Sequence, residues 1–158
     1  MNRVIGGWNL SGLFRLSSGR PFSVFAGSNT FNSFVGSFAD CSGCSRSDGA
    51  ERQEDGLVWY FNPAERGRFT NPASGELGKT GRNFFWGDRF FNLDFSIAKK
   101  TSLTERFNLE LRADFTNLTN TPSFGFPTAT ITSATFGRIR DTVASNSRQA
   151  MLAAKINF

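Results

Sequence analysis

Four segments whose polarity alternates every second residue, two long connections and one short turn predict an all-β protein. The pattern is that of an antiparallel transmembrane β-barrel fragment, about four C-terminal strands with two long external loops. Composition agrees. Nineteen Phe, three Trp and one Tyr are set among Gly, Ser, Asn and Thr. Aromatic and β-branched side chains fit a pleated surface, and Gly, Asn and Ser punctuate it. The longest apolar run, Leu57 to Phe61, falls far short of the roughly 18 residues a spanning helix needs. That excludes helical membrane spans. It leaves open spanning strands, which need only about 9–11 residues.

The first strand starts near Trp8. Trp8, Leu10, Gly12, Phe14 and Leu16 share one face; Asn9, Ser11, Leu13, Arg15 and Ser17 share the other. The parity continues through Phe22, Val24 and Ala26. One long strand with an irregularity at Ser18-Gly19-Arg20-Pro21 is therefore expected, with a tight turn at Ser18-Gly19 as the alternative. The second strand sets Phe91, Leu93, Phe95 and Ile97 against Asn92, Asp94, Ser96 and Ala98. In the third, Phe107, Leu109, Leu111, Ala113 and Phe115 alternate with Asn108, Glu110, Arg112, Asp114 and Thr116. Wound as a helix, that segment would scatter its apolar residues around the cylinder. The fourth sets Ala150, Leu152, Ala154, Ile156 and Phe158 against Gln149, Met151, Ala153, Lys155 and Asn157.

The connections are unequal. Lys99 to Arg106 is a short turn, whereas Asn117 to Ser147 and Gly27 to about Phe90 are long. Loops of that size are unusual in compact soluble domains. Membrane barrels place short turns in the periplasm and long loops outside. The long connection from about Ser28 to Phe90 is thus expected to be external and mobile. Four strands cannot close a barrel, since the smallest bacterial ones have eight, and open edges in lipid leave unpaired backbone groups. The whole chain, 1–158, therefore reads as the C-terminal part of an incomplete outer-membrane barrel domain. The earlier strands and an export signal are expected upstream of Met1, the latter because Met1 to Gly7 has no apolar core of a signal peptide.

The net charge of +5 comes from scattered Lys and Arg, which argues against a nucleic-acid partner. The chain has no His, so the commonest general base and zinc ligand are absent, and no enzymatic activity, cofactor or metal is expected. Arg15, Asp94, Glu110, Arg112 and Asp114 are expected to line the lumen. Glu110 and Asp114 could be read as a catalytic carboxylate pair, but the whole face they occupy is polar. Cys41-Ser42-Gly43-Cys44 lacks the two further ligands of a structural zinc site. A local disulfide is expected in an oxidising exterior, with two inert thiols as the alternative. Gly78-Lys79-Thr80 is not a phosphate loop, since Ala73 stands where the earlier Gly is required.

Several runs resemble the late barrel of TonB-dependent receptors, in particular the Oar-like group with a carboxypeptidase-regulatory-like N-terminal domain. They are Gly7-Trp8-Asn9-Leu10-Ser11-Gly12, Ser18-Gly19-Arg20-Pro21-Phe22, Trp59-Tyr60-Phe61-Asn62-Pro63-Ala64 and Gly78-Lys79-Thr80-Gly81-Arg82-Asn83. Leu103 to Asn120 is the most specific, followed by Thr135-Phe136-Gly137-Arg138-Ile139 and the terminal Phe158. Nearly the whole chain is covered, except about Ser28 to Asp55. The resemblance implies residence in the bacterial outer membrane, in contact with its lipid and lipopolysaccharide. It implies a plug inside the completed barrel, energy coupling to the TonB system through a missing N-terminal part, and import of a large nutrient. The alternating series Ala150, Leu152, Ala154, Ile156, Phe158 resembles the signal read by the barrel-assembly machinery. A non-transporting surface or adhesive barrel, or a soluble carbohydrate-binding β-sandwich, is the alternative.

Overall fold

A computed structural model describes residues 5–46, 56–142 and 147–158, with the backbone of 51–52 in addition. The chain divides into two compact units, residues 1–17, 91–122 and 145–158 in one and 18–90 and 123–144 in the other.

The first unit is a four-stranded sheet. Its strands are β1 (Trp8–Ser17), β2 (Phe90–Ser102), β3 (Asn108–Thr116) and β4 (Gln149–Asn157), in the order β1-β2-β3-β4. Their lengths of 10, 13, 9 and 9 residues suit the about 9–11 that a tilted spanning strand needs. β2 and β3 pair antiparallel from Phe95↔Phe115 to Ser102↔Asn108, and β3 and β4 from Gln149↔Thr116 to Asn157↔Asn108. Between β1 and β2 the Lys100 N–H donates to the Gly7 carbonyl at 2.8 Å while Arg15 meets Asp94, so that pair also runs antiparallel.

The β2–β3 turn is tighter than the sequence suggested, because Lys99 to Ser102 still belong to the strand. Leu103 and Thr104 donate to the Phe107 carbonyl, and the Thr104 hydroxyl accepts the Phe107 N–H at 3.1 Å. At the other end of β3, Asn117 and Asn120 turn the chain with positive φ of 47° and 52°. Asn tolerates that conformation because its amide can bond locally. Here Asn117 donates its side-chain N–H to the Thr121 carbonyl and accepts the Thr121 N–H, both at 3.1 Å.

One long strand from Trp8 to Ala26 does not form. β1 ends at Ser17, and Pro21–Phe22 pairs instead with Phe85–Trp86 in the second unit. Gly19 lies so close to the Gly87 carbonyl that a Cβ has no room, and Pro21 has no N–H to continue a ladder. The even parity is nevertheless real, since Phe22, Val24 and Ala26 are buried.

The second unit corrects the expectation of a mobile loop. The long connections fold together around a core of Phe22, Val24, Ala39, Tyr60, Phe61, Phe69, Phe85, Ile131, Phe136 and Ile139. Phe61 is the centre: its ring meets those of Tyr60, Phe69, Phe85 and Phe136 at 4.7 to 5.4 Å. Short ladders tie the periphery, Asp40–Cys41 with Phe69–Thr70 and Val58–Trp59 with Arg138–Ile139. A 3₁₀ segment at Pro63–Arg68 is capped by Asn62, whose side chain accepts from Ala64 N–H while Glu65 accepts from Asn62 N–H. The two connections interlock within the unit. The Phe25 N–H donates to Ala129, Tyr60 N–H to Gly137, and the Arg66 guanidinium to the Ile131 carbonyl.

Candidate functional site: a two-faced sheet

Register places residues directly opposite one another on the same face. One face carries Ser96↔Asp114, Ala98↔Arg112 and Lys100↔Glu110, continued by Met151, Ala153 and Lys155 of β4. All five expected lumen residues come together here. Arg15 meets Asp94 at 3.4 Å, and the other oxygen of Asp94 accepts the Asn117 N–H at 3.0 Å. Asp114 accepts from Arg112 at 2.9 Å and from the Ser96 hydroxyl at 2.6 Å. Lys100 sits 3.6 Å from Glu110. Asp94, Glu110 and Asp114 therefore each have a cation on the same face. Glu110 and Asp114 are four residues apart along one strand, about 13 Å, beyond the roughly 5–9.5 Å over which carboxylate pairs act on a glycosidic bond. The arrangement makes a charge-balanced polar wall rather than an acid–base pair.

Two shallow concavities mark that wall. One of about 350 Å³ is lined by Ser11, Asp94, Ser96, Asp114 and Thr116 among others, and one of about 270 Å³ by Asn9, Ser11, Lys100, Glu110 and Arg112 among others. Ser96 and Lys100 were not singled out from sequence, although the same alternation marks them. Leu13 and Met151 interrupt the polar face and are exposed there.

The opposite face is apolar. Phe14 meets Phe91 edge-on at 5.4 Å, and Trp8 stacks with Lys99. Ala150, Leu152, Ala154 and Ile156 lie opposite Phe115, Ala113, Leu111 and Leu109. Phe158 follows the last strand residue, 6.5 Å from the Phe107 ring and 97% exposed. This face is apolar yet uncovered within the sheet unit: Leu10, Phe14, Leu16 and Leu152 are exposed. An apolar surface of this extent needs an apolar medium or partner.

The remaining candidates lie in the second unit. Cys41 and Cys44 have their sulfurs adjoining and Cα atoms 5.9 Å apart. Arg68 holds the loop between them by donating to the Ser42 and Gly43 carbonyls. Among the described residues no cluster of His, Cys, Asp or Glu is arranged to hold a metal. The Gly78-Lys79-Thr80 run has a structural task. Lys79 N–H donates to the Asp40 carboxylate at 2.6 Å and the Thr80 hydroxyl to the Ala39 carbonyl at 2.6 Å, so its polar groups are turned inward rather than into a phosphate cradle.

No curated protein and no solved structure matches the chain. The sequence model of one family, described as an outer membrane beta barrel domain, matches residues 1–150. Strands of spanning length, one charge-balanced polar face, one uncovered apolar face and this match agree: the chain belongs to the outer membrane beta barrel domain family and is a component of the bacterial outer membrane.

Proposed function

We propose that the chain forms the C-terminal strands of a TonB-dependent receptor of the Oar-like group, which when complete imports a large nutrient across the outer membrane. The observation that carries the barrel part is the two-faced sheet. Its apolar face suits lipid, and its charge-balanced face suits a lumen occupied by a polar plug. The receptor part is supported by the sequence runs that resemble this group along nearly the whole chain.

Chain connectivity supports the topology. The chain leaves the sheet for the second unit after β1 and after β3 and returns at β2 and β4, so both long connections emerge from one end of the strands. The tight β2–β3 turn is at the other end. With the turn periplasmic, both long connections start and end on the external side, where the loops of such barrels meet nutrient and lipopolysaccharide. The alternating series Ala150, Leu152, Ala154, Ile156 and Phe158 serves as the signal for the barrel-assembly machinery. We assign the chain no catalytic or cofactor-binding role.

Binding of the purified periplasmic domain of TonB to the full-length, assembled receptor tests this reading. A complex that is lost when the N-terminal coupling segment is deleted supports it. An assembled barrel that never binds TonB contradicts it and favours a non-transporting surface or adhesive barrel, for which a compact external unit is equally suited.

A further inference from the structure

We propose that the apolar face of the sheet carries a site for one anionic phospholipid, with Lys99 meeting the headgroup and a groove beside it seating an acyl chain. The site rests on the reading of this face as lipid-facing.

Along this face β2 presents Phe91, Leu93, Phe95 and Ile97, and then changes to Lys99 and Thr101. The change falls at the end nearest the tight turn, three residues before the strand ends at Ser102. A cation on the lipid side of a barrel is costly at mid-bilayer and cheap near the headgroups. Lys99 therefore marks the headgroup level on β2. Trp8 agrees, because tryptophan also concentrates at that interface. The Lys99 ammonium lies 4.4 Å from the centroid of the Trp8 ring. A cation–π contact of this kind fixes the position of the charge.

The groove begins at the same level. Lys99 lies opposite Leu111, and Leu111 opposite Ala154; one rung further in, Ile97 lies opposite Ala113, and Ala113 opposite Leu152. The small Ala113 and Ala154 side chains lower the surface between Ile97, Leu111 and Leu152. The result is a concavity of about 420 Å³ lined by these residues, Trp8 and Lys99. An apolar channel with a fixed cation at its interfacial end is complementary to one acyl chain attached to a phosphate. An anionic phospholipid fits better than a zwitterionic one, whose own ammonium competes with Lys99. Phospholipid is chosen over lipopolysaccharide because the tight-turn end is periplasmic in the proposed topology.

The test uses the full barrel that carries this chain, with Trp8 as its single tryptophan, in vesicles of chain-brominated phosphatidylcholine. Quenching of Trp8 by the brominated chains reports that the face lies in lipid. Unbrominated phosphatidylglycerol should relieve the quenching with a relative affinity about fivefold above unbrominated phosphatidylcholine, the effect of one interfacial charge. Lys99→Gln should bring the two lipids to parity, and Lys99→Arg should keep the preference. A preference that survives Lys99→Gln, or parity in the parent protein, overturns the lipid site while leaving the barrel intact. Absence of quenching by any brominated lipid overturns the lipid-facing reading and the site with it. If the single-tryptophan protein does not assemble, native mass spectrometry of the parent and Lys99→Gln barrels decides the same question. A retained phosphatidylglycerol adduct that Lys99→Gln removes supports the site; an adduct equal in both overturns it.

Discussion

Ile97 and Ser96 are neighbours in sequence but face opposite ways, Ile97 opposite Ala113 and Ser96 opposite Asp114. The same new charge should therefore have very different effects at the two positions. In a full barrel Ile97→Arg should destabilise by about 1–2 kcal/mol, since it puts a cation on the lipid side between the interface, where such a charge costs about 0–1 kcal/mol, and the midplane, where it costs about 2–4. Ser96→Arg gives up one hydroxyl bond to Asp114 but adds a cation beside that carboxylate, so its effect should be much smaller. Urea unfolding of the two variants in lipid vesicles measures the difference; equal penalties would mean that the faces are not distinct. Leu111 is a poorer probe, because it stands directly opposite Lys99. A second residue-scale prediction concerns Cys41 and Cys44. Protein taken from the cell envelope and alkylated without reductant should gain no label at either position by mass. Breaking the bond with Cys44→Ser should weaken the second unit by about 2 kcal/mol or less, because the loop it closes is very short.

The elements differ in how far the sequence reveals them. The strands were legible because a sheet face is written locally: each residue shares its face with the one two positions away, as Phe107, Leu109, Leu111 and Ala113 show. Arg15, Asp94, Glu110, Arg112 and Asp114 were found by the same rule. Their pairing was not, because Arg15 and Asp94 are distant in sequence and meet only through register. Beyond Phe22, which continues the even parity of the first segment, the core of the second unit has no period to read. Phe61, Phe85 and Phe136 come from separated stretches, the first two from the short aromatic runs Trp59-Tyr60-Phe61 and Phe84-Phe85-Trp86. The available signal was the abundance of Phe in segments otherwise rich in Gly, Ser and Asn. Phe61 gives the element-scale prediction. Its side chain is almost fully buried among aromatic rings, so Phe61→Ala should cost about 3–5 kcal/mol of local stability. Limited proteolysis should then cut within 18–90 in the variant and not in the parent, while the sheet keeps its heat-modifiable mobility on gels. Equal protease resistance would mean that the aromatic cluster does not hold the unit together.

At the scale of the molecule, the open sheet is what makes the chain dependent on further strands. β1 and β4 are the outermost strands of the sheet, and every residue of both is exposed. In lipid, backbone groups left unpaired along those edges would cost several kcal/mol each in order-of-magnitude terms, which is why we propose that strands with the same alternation continue the wall on both sides. The second unit needs no such completion, having a core of its own. The lipid-facing and water-facing sides of the wall are the central claim, and β3 tests them most directly. A nitroxide carried in turn at each position from Phe107 to Thr116 of the full barrel in vesicles reports collisions with oxygen, which concentrates in lipid, and with a water-soluble nickel chelate. The two accessibilities should oscillate with a period of two and in opposite phase, oxygen highest at Leu109, Leu111, Ala113 and Phe115 and the chelate highest at Asn108, Glu110, Arg112 and Asp114. Accessibilities that vary smoothly along the strand, or that rise and fall in the same phase, would contradict a membrane wall.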